Sequence, residues 1–182
     1  VSRPVLGTLS AVPALERPDL LGKPVLSALE ALDPADAALV GVAEIDPGLA
    51  DTAAFCAAYG SPLDGSANCV VVAGRRGATT GYAACLVLAT TRADVNGLVR
   101  KRLNARKASF APMDDAVSLT GMEYGGITPV GLPDDWPLLV DAAVAAAEEV
   151  VIGSGIRGSK LALPGGLAAR LANAEIVESL AH

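Results

Sequence analysis

Between Met122 and Pro133, three glycines and two prolines sit among strand-forming residues, in the run Met122-Glu123-Tyr124-Gly125-Gly126-Ile127-Thr128-Pro129-Val130-Gly131-Leu132-Pro133. Gly125 and Gly126 can reach positive φ or let another group approach the main chain closely, while Pro129 and Pro133 fix φ and remove two backbone donors. The segment reads as a rigid loop lining a cleft, with a structural turn between two strands as the alternative. Glycines at 125, 126 and 131 could present N–H groups to a developing negative charge without side-chain obstruction. A second glycine run, Gly153-Ser154-Gly155-Ile156-Arg157-Gly158, follows the strand-like Val150-Val151-Ile152 and fits G-x-G-x-x-G. Only 24 residues follow Gly158, too few for a full dinucleotide-binding half. Gly158-Ser159-Lys160 also inverts the Lys-Ser/Thr order of a phosphate-binding loop.

Other chemistries are excluded by what the chain lacks. Its one histidine is the last residue, His182, so a Ser-His or Cys-His nucleophile pair and the histidine-based zinc sites have no basis. Cys56, Cys69 and Cys85 are odd in number and widely spaced, as expected of reduced, buried thiols rather than a disulfide frame or a metal site. No metal and no cofactor are predicted.

The 182 residues, 52% of them hydrophobic and 19% charged, suffice for one domain with a sizeable core. No apolar run is long enough to cross a bilayer, and the start carries no signal-like segment, so a soluble cytoplasmic protein is expected, without membrane partners. The net charge of −6 argues against a general nucleic-acid binder, but its distribution does not. Eight of the 14 Lys and Arg lie between residues 75 and 107 (Arg75, Arg76, Arg92, Arg100, Lys101, Arg102, Arg106 and Lys107), where Asp94 is the only acid. Such a cluster could be the footprint of a phosphate backbone, or simply a solvated helix face with nearby hairpin charges.

The elements that must position these groups are short. Prolines at 4, 13, 18 and 24 predict an irregular lead-in from Val1, then a helix from Pro24 to Leu32. A strand over Leu39–Ile45 precedes a helix begun by Asp51 or Thr52 and stopped at Gly60. Cys69–Ala73 and Tyr82–Ala89 read as a hairpin joined by a basic, flexible loop over Gly74–Gly81. Asp94 caps a helix over Val95–Leu103 that leaves Arg100, Lys101 and Arg102 outside. A strand over Lys107–Phe110, a helix over Met113–Leu119, and strands over Leu138–Val140, Val150–Ile152 and Leu161–Leu163 follow. Leu167–Leu171 reads as a helix turn and Ile176–Leu180 as a closing strand or helix. Ala142–Ala147 fits either state. The mixed order suggests an α/β fold of α+β type with a largely antiparallel or mixed sheet.

Gly125-Gly126-Ile127-Thr128-Pro129-Val130-Gly131 closely resembles the Gly-Gly-Ile-Ser-Pro-x-Gly signature of the YbaK-like editing domains, the free-standing aminoacyl-tRNA deacylases related to domains inserted in bacterial prolyl-tRNA synthetases. Gly155, Arg157 and Gly158 match the family's Gly-Gly-x-Arg-Gly element, and Leu103 to Ala111 resembles its Leu-Gly-Ala-Lys-Lys passage. The resemblance runs from about Leu39 to Leu180. It implies a single domain with a barrel-like, largely antiparallel sheet flanked by helices, residues 33–182 being the editing domain and 1–32 an extension packed on it. It also implies that the two glycine loops face each other across one pocket, and that mischarged aminoacyl-tRNA with a small amino acid such as alanine, cysteine or serine is hydrolysed there. An aminoacyl-tRNA synthetase is a second candidate partner. Gly125 and Gly126 are then catalytic candidates. Ile127, Thr128, Pro129, Gly131, Gly155, Arg157 and Gly158 are candidates for binding substrate, with Arg157 at the terminal phosphate. Arg75, Arg76, Arg100, Lys101, Arg102 and Lys107 are candidates for the acceptor stem.

One departure bears on catalysis. The family carries a lysine in a Val-x-Lys-Thr-Leu strand, but the corresponding Ala67-Asn68-Cys69-Val70-Val71-Val72 has none, with Cys69 at its position by hydrophobic register and Asn68 next. Lys160 stands where many relatives are acidic. Lys160 is therefore a candidate to supply the pocket cation from the opposite wall, with an ordinary surface lysine at a strand start as the alternative. Cys69 as a covalent nucleophile has no histidine to activate it. A module that binds tRNA or the aminoacyl group and has lost catalysis is the alternative function.

Overall fold

The computed structural model describes residues 3–182, so Val1 and Ser2 of the expected lead-in lie outside the described residues. The chain forms one α+β domain built on two open sheets rather than one barrel-like sheet. The first, in the order β1-β2-β8-β7, contains β1 (Val12–Pro13), β2 (Gly41–Glu44), β7 (Val150–Gly153) and β8 (Ser159–Leu163), all paired antiparallel. The second, in the order β5-β3-β4-β6-β9, contains β3 (Ala67–Arg76), β4 (Thr79–Leu88), β5 (Lys107–Phe110), β6 (Leu138–Asp141) and β9 (Ala174–Val177). Here β3 pairs antiparallel with β4 and β5, while β4–β6 and β6–β9 are parallel. A single parallel bridge between Ser66 and Val151 ties the start of β3 to β7 and so joins the sheets.

Strand alternation assigns each face a layer. Leu161 and Leu163 of β8 meet Ala84 and Leu86 of β4 and Leu138 and Val140 of β6 in the central core. Val25 and Leu29 of α1 (Lys23–Glu30) close that core, with Met122 and Val130 of the glycine-rich loop. On the outer face of the first sheet, Ala43, Val151 and Ala162 pack with Phe55 of α3 (Thr52–Tyr59). On the far face of the second sheet, Val72, Cys85, Val87 and Leu139 pack with Val95, Val99 and Leu180.

The helices begin and end where local chemistry directs. Pro24 occupies the first turn of α1, and Asp33 caps the short α2 (Pro34–Ala37) by accepting from Ala35 N–H. Gly60 ends α3 in the left-handed conformation. The Asp94 carboxylate accepts from the N–H groups of Gly97 and Leu98, opening the wide helical turn Val95–Val99 that continues into α4 (Arg100–Arg102). Gly121 closes α5 (Met113–Thr120). The alanine-rich segment is a helix, α6 (Ala142–Ala146), because Asp141 caps it through Ala143 N–H; α7 (Gly165–Ala168) follows β8.

The expected flexible loop over Gly74–Gly81 is absent. Pairing of β3 with β4 continues to Arg76↔Thr79, leaving only Gly77 and Ala78 in the turn. Gly77 takes φ +63°, the left-handed geometry a two-residue hairpin turn needs, so Arg75 and Arg76 stand on a rigid strand. The expected closing element is likewise earlier, at Ala174–Val177.

Leu161 is fully buried on an interior strand, where truncation leaves a cavity that neighbouring strands cannot collapse to fill. Leu161→Ala is expected to lower the unfolding free energy by about 2–5 kcal/mol with an unchanged m-value, as measured by urea denaturation.

Candidate functional site

The glycine-rich loop and the β7–β8 loop lie directly against each other. Gly155 N–H donates to Gly126 O at 2.7 Å, and Glu123 N–H donates to Gly155 O at 2.9 Å. A Cβ on Gly126 would lie 2.6–2.8 Å from the Ile156 backbone, and one on Gly153 would lie 2.6 Å from Gly126 O. Gly155, at φ +87°, rests on Gly22 and Val25, and Gly131, at φ +86°, rests on the Pro24 carbonyl. Glycine is thus required on both loops by main-chain approach. The loops are in contact, and the cavity lies beside their junction rather than between them.

That cavity encloses about 320 Å³. Its sides are the start of α3 (Asp51, Thr52 and Phe55), the start of β3 (Ala67 to Val70), the loop residues Tyr124, Gly125 and Ile127, and Val151 to Gly153 of β7. Lys160 enters from β8. Thr52 Oγ1 donates to Asn68 Oδ1 at 2.8 Å, fixing α3 to β3 across one end. The Asp51 side chain makes no cap hydrogen bond for its helix, and its carboxylate borders the cavity.

Lys160 is 7% exposed. Its Nζ donates to Ala50 O at 2.7 Å and lies 5.5 Å from the centre of the Phe55 ring, a cation–π arrangement. Burial disfavours the charged form and lowers its pKa to about 8; the Asp51 carboxylate opposes that shift and Arg157 adds to it. The ammonium is therefore buried yet near its titration point at neutral pH.

Cys69 faces the same cavity from β3. Burial, with a smaller contribution from Cys85, pushes its thiol far above the ordinary range, so it is a neutral wall group rather than a thiolate. Asn68, its neighbour, borders the cavity as well.

The other sequence candidates divide by place. Gly125 and Ile127 line the cavity, and the Gly125 N–H has no hydrogen-bond partner among the described residues. Gly126 and Gly155 form the loop contact, Gly131 lies against Pro24 of α1, and Gly158 O accepts from Ile45 N–H. Pro129 and Gly131 border a separate hollow beside α1. Thr128 is fully buried, and its Oγ1 is the only buried side-chain N or O atom without a hydrogen-bond partner among the described residues. Arg157 clamps the loops: its Nε donates to Pro47 O and its Nη1 to Tyr124 O, both at 3.1 Å, while its N–H donates to the Glu123 carboxylate. Arg157 does not border the cavity that Lys160 enters.

Arg75, Arg76 and Lys107 stand at the far end of β3 and β5, where Arg75 is paired with Lys107. Arg76 holds Asn104 through its backbone and side-chain oxygens, Arg100 donates to Asn96 O, and Arg102 forms an ion pair with Glu175. Lys101 and Lys107 are exposed. From Cys69 to Arg75 along β3 is six residues, roughly 20 Å. Asp51, Thr52, Phe55 and Tyr124 were not singled out as site residues in the sequence; the signals there were the Asp51-Thr52 helix start and the place of Tyr124 in the cleft-lining loop.

A family model for the aminoacyl-tRNA editing domain matches residues 46–171. No curated protein shows a significant sequence match. Among solved structures, one provisionally described as a trans-editing enzyme for prolyl tRNA synthetase is 20% identical, with a TM-score of 0.70, over 86% of this chain and 94% of its own. A hypothetical protein is 21% identical with a TM-score of 0.71, over 85% of this chain and 99% of its own. A scaffold protein from computational epitope grafting is 20% identical, also with a TM-score of 0.71, over 86% and 95%. At these identities the likeness is one of fold.

The loop junction gives a direct contrast. Gly126→Ala drives a methyl into the Ile156 backbone and is expected to lower the unfolding free energy by more than about 1 kcal/mol, whereas Gly81→Ala, with nothing within 4 Å of the new Cβ, should stay within about 0.5 kcal/mol of the parent in urea denaturation. Lys160 sets a pH dependence. Between the folded value near 8 and the free-lysine value of 10.5 the unfolded chain binds more protons, so this group makes stability rise with pH across that window, and its cost is fully present below pH 8. Lys160→Met should therefore stabilise the fold most at or below pH 8, the gain fading toward pH 10.5 in denaturation series at fixed salt.

Proposed function

The chain belongs to the aminoacyl-tRNA editing domain family, and on that footing we propose that it is a trans-editing hydrolase that deacylates mischarged aminoacyl-tRNA carrying a small amino acid. The observation that supports this most is the placement of Lys160: a buried ammonium on the cavity wall opposite the strand that has Cys69 where the family lysine is expected. In this reading the cation has changed strands while remaining at the cavity.

Deacylation is attack of water on the ester carbonyl, with a proton leaving the water, negative charge growing on the carbonyl oxygen, and the ribose oxygen departing with a proton. In this reading the Lys160 ammonium and the unpaired Gly125 N–H stabilise that oxygen. The Ala50 carbonyl holds Lys160 in place, and the low polarity around Phe55 strengthens its field. No side chain at the cavity is a histidine base, so the neighbouring ribose hydroxyl positions or activates the water, as the family resemblance implies. Phe55, Cys69, Ile127, Val151 and Ile152 leave a space at the small end of the range for ligand pockets, which favours a small side chain. Arg75, Arg100, Lys101 and Lys107 would receive acceptor-stem phosphates, at low specificity.

A binding module without turnover is the second reading, favoured by the neutral thiol at the lysine position. Kinetics separate the two. On alanyl- or seryl-tRNA of noncognate identity, Lys160→Met is expected to reduce kcat/KM by about 100-fold or more. With rates corrected for spontaneous hydrolysis, the parent should lose activity as pH rises through about 8 and the variant should not. Turnover unchanged in Lys160→Met removes Lys160 from the mechanism; tRNA binding without turnover in the parent supports the binding module. Neutralising Arg100, Lys101 and Arg102 together should weaken tRNA binding and flatten its salt dependence.

A further inference from the structure

A second hollow, of about 660 Å³, opens on the other side of the β3 edge and shares Asn68 and Val70 with the first cavity. The edge is open at that level because β5 pairs only with Val72 to Arg75. The floor of this hollow is apolar (Val70, Val87, Val95 and Ala108), and Phe110, 64% exposed at the end of β5, stands at its side. Such exposure is unusual for a large aromatic ring and leaves its face available. Arg92 borders the same hollow, is exposed, and has no side-chain partner among the described residues. The side-chain carboxylate there, Asp94, is committed to the N–H groups of Leu98 and Gly97, which lower its pKa, and His182, whose backbone pairs with that of Arg92, borders the hollow as well. Asn68 spends its side-chain oxygen on Thr52, while its amide nitrogen, at the boundary between cavity and hollow, has no partner among the described residues.

The order along β3 identifies the occupant. The cavity lies at residues 67–70, the hollow follows at Asn68 and Val70, with Phe110 paired to Val72, and Arg75 and Arg76 come last beside Lys107. Val70 to Arg75 is five residues, roughly 17 Å. A polymer whose esterified end enters the cavity and whose phosphates reach the basic end of the strand passes this hollow when it follows β3. An aromatic ring on an apolar floor, with a free cation and a free amide at the rim, is the equipment for a stacked nucleobase next to its phosphate.

We propose that this hollow is a nucleoside subsite, in which the base of the esterified terminal nucleotide stacks on Phe110, Asn68 donates to its ribose or base, and Arg92 meets the phosphate. The proposal rests on the deacylase reading for its substrate, but not for its binding. Stacking on one aromatic side chain is worth on the order of tenfold or more in affinity.

Two experiments test it. In the first, hydrolysis of 2′(3′)-O-alanyl-adenosine is compared with that of alanine ethyl ester. Phe110→Ala is expected to lower kcat/KM for the adenosine ester about tenfold through KM while leaving the ethyl ester within about twofold, and Phe110→Trp is expected to restore the preference. An adenosine preference that survives Phe110→Ala overturns the proposal. In the second, adenosine 5′-monophosphate is titrated into the parent, Phe110→Ala and Arg92→Gln, with binding followed by NMR. Weak binding in the parent that is lost in Phe110→Ala and weakened in Arg92→Gln supports the subsite even if no ester is hydrolysed, in which case the deacylase reading alone fails. Absence of binding in the parent, or binding indifferent to both substitutions, overturns the subsite whatever the hydrolytic result.

Discussion

Everything at the site depends on the backbone of Gly126 lying against the backbone of Gly153 to Ile156. Two main-chain hydrogen bonds, Gly155 N–H to Gly126 O and Glu123 N–H to Gly155 O, pull the loops together at a distance that admits no side chain between them. This contact holds Tyr124, Gly125 and Ile127 over the cavity and fixes where β8 begins, and so where Lys160 emerges. Arg157 completes it by bonding to carbonyls of both the glycine-rich loop and the turn before α3. The glycines thus contribute mainly through the close approach they permit, with Gly125 also leaving an N–H free at the cavity.

A buried ammonium is costly, and the fold accepts that cost at one position. The Ala50 carbonyl, the Phe55 ring and the nearby Asp51 charge offset part of it, yet burial still holds the Lys160 pKa near 8. A lysine so placed destabilises the folded state in its charged form and gains value only if something in the cavity uses the charge. That is the physical link between the packing of α3 on β8 and the proposed chemistry, and it favours a functional over a purely structural lysine.

The local signals in the sequence were strong wherever a residue acts on its own backbone. Pro24, Asp94 and Gly60 set element boundaries by near-neighbour chemistry, and the first glycine motif announced a close approach before any partner was visible. Legibility ended where long-range pairing decides. Gly74 to Gly81 reads as a loop from its glycines and threonines, but pairing with β4 and β5 draws it into strands. The division into two sheets depends on which edges meet across the core, which no local pattern encodes. At the site, Lys160 and Cys69 were legible through their departure from a family pattern. Asp51, Phe55 and Tyr124 converge on them only through tertiary packing, and Arg157, read as a phosphate ligand, has two of its donors committed to carbonyls.

The central claim is that the acyl end of the substrate occupies the cavity beside Lys160. It is tested most directly by a crystal structure with a non-hydrolysable 3′-aminoacylamido-adenosine. The account predicts the acyl carbonyl oxygen within hydrogen-bond distance of Lys160 Nζ and Gly125 N–H, with the amino-acid side chain against Phe55 and Cys69. An acyl group bound elsewhere, or one in the cavity that turns its carbonyl away from both donors, would contradict it.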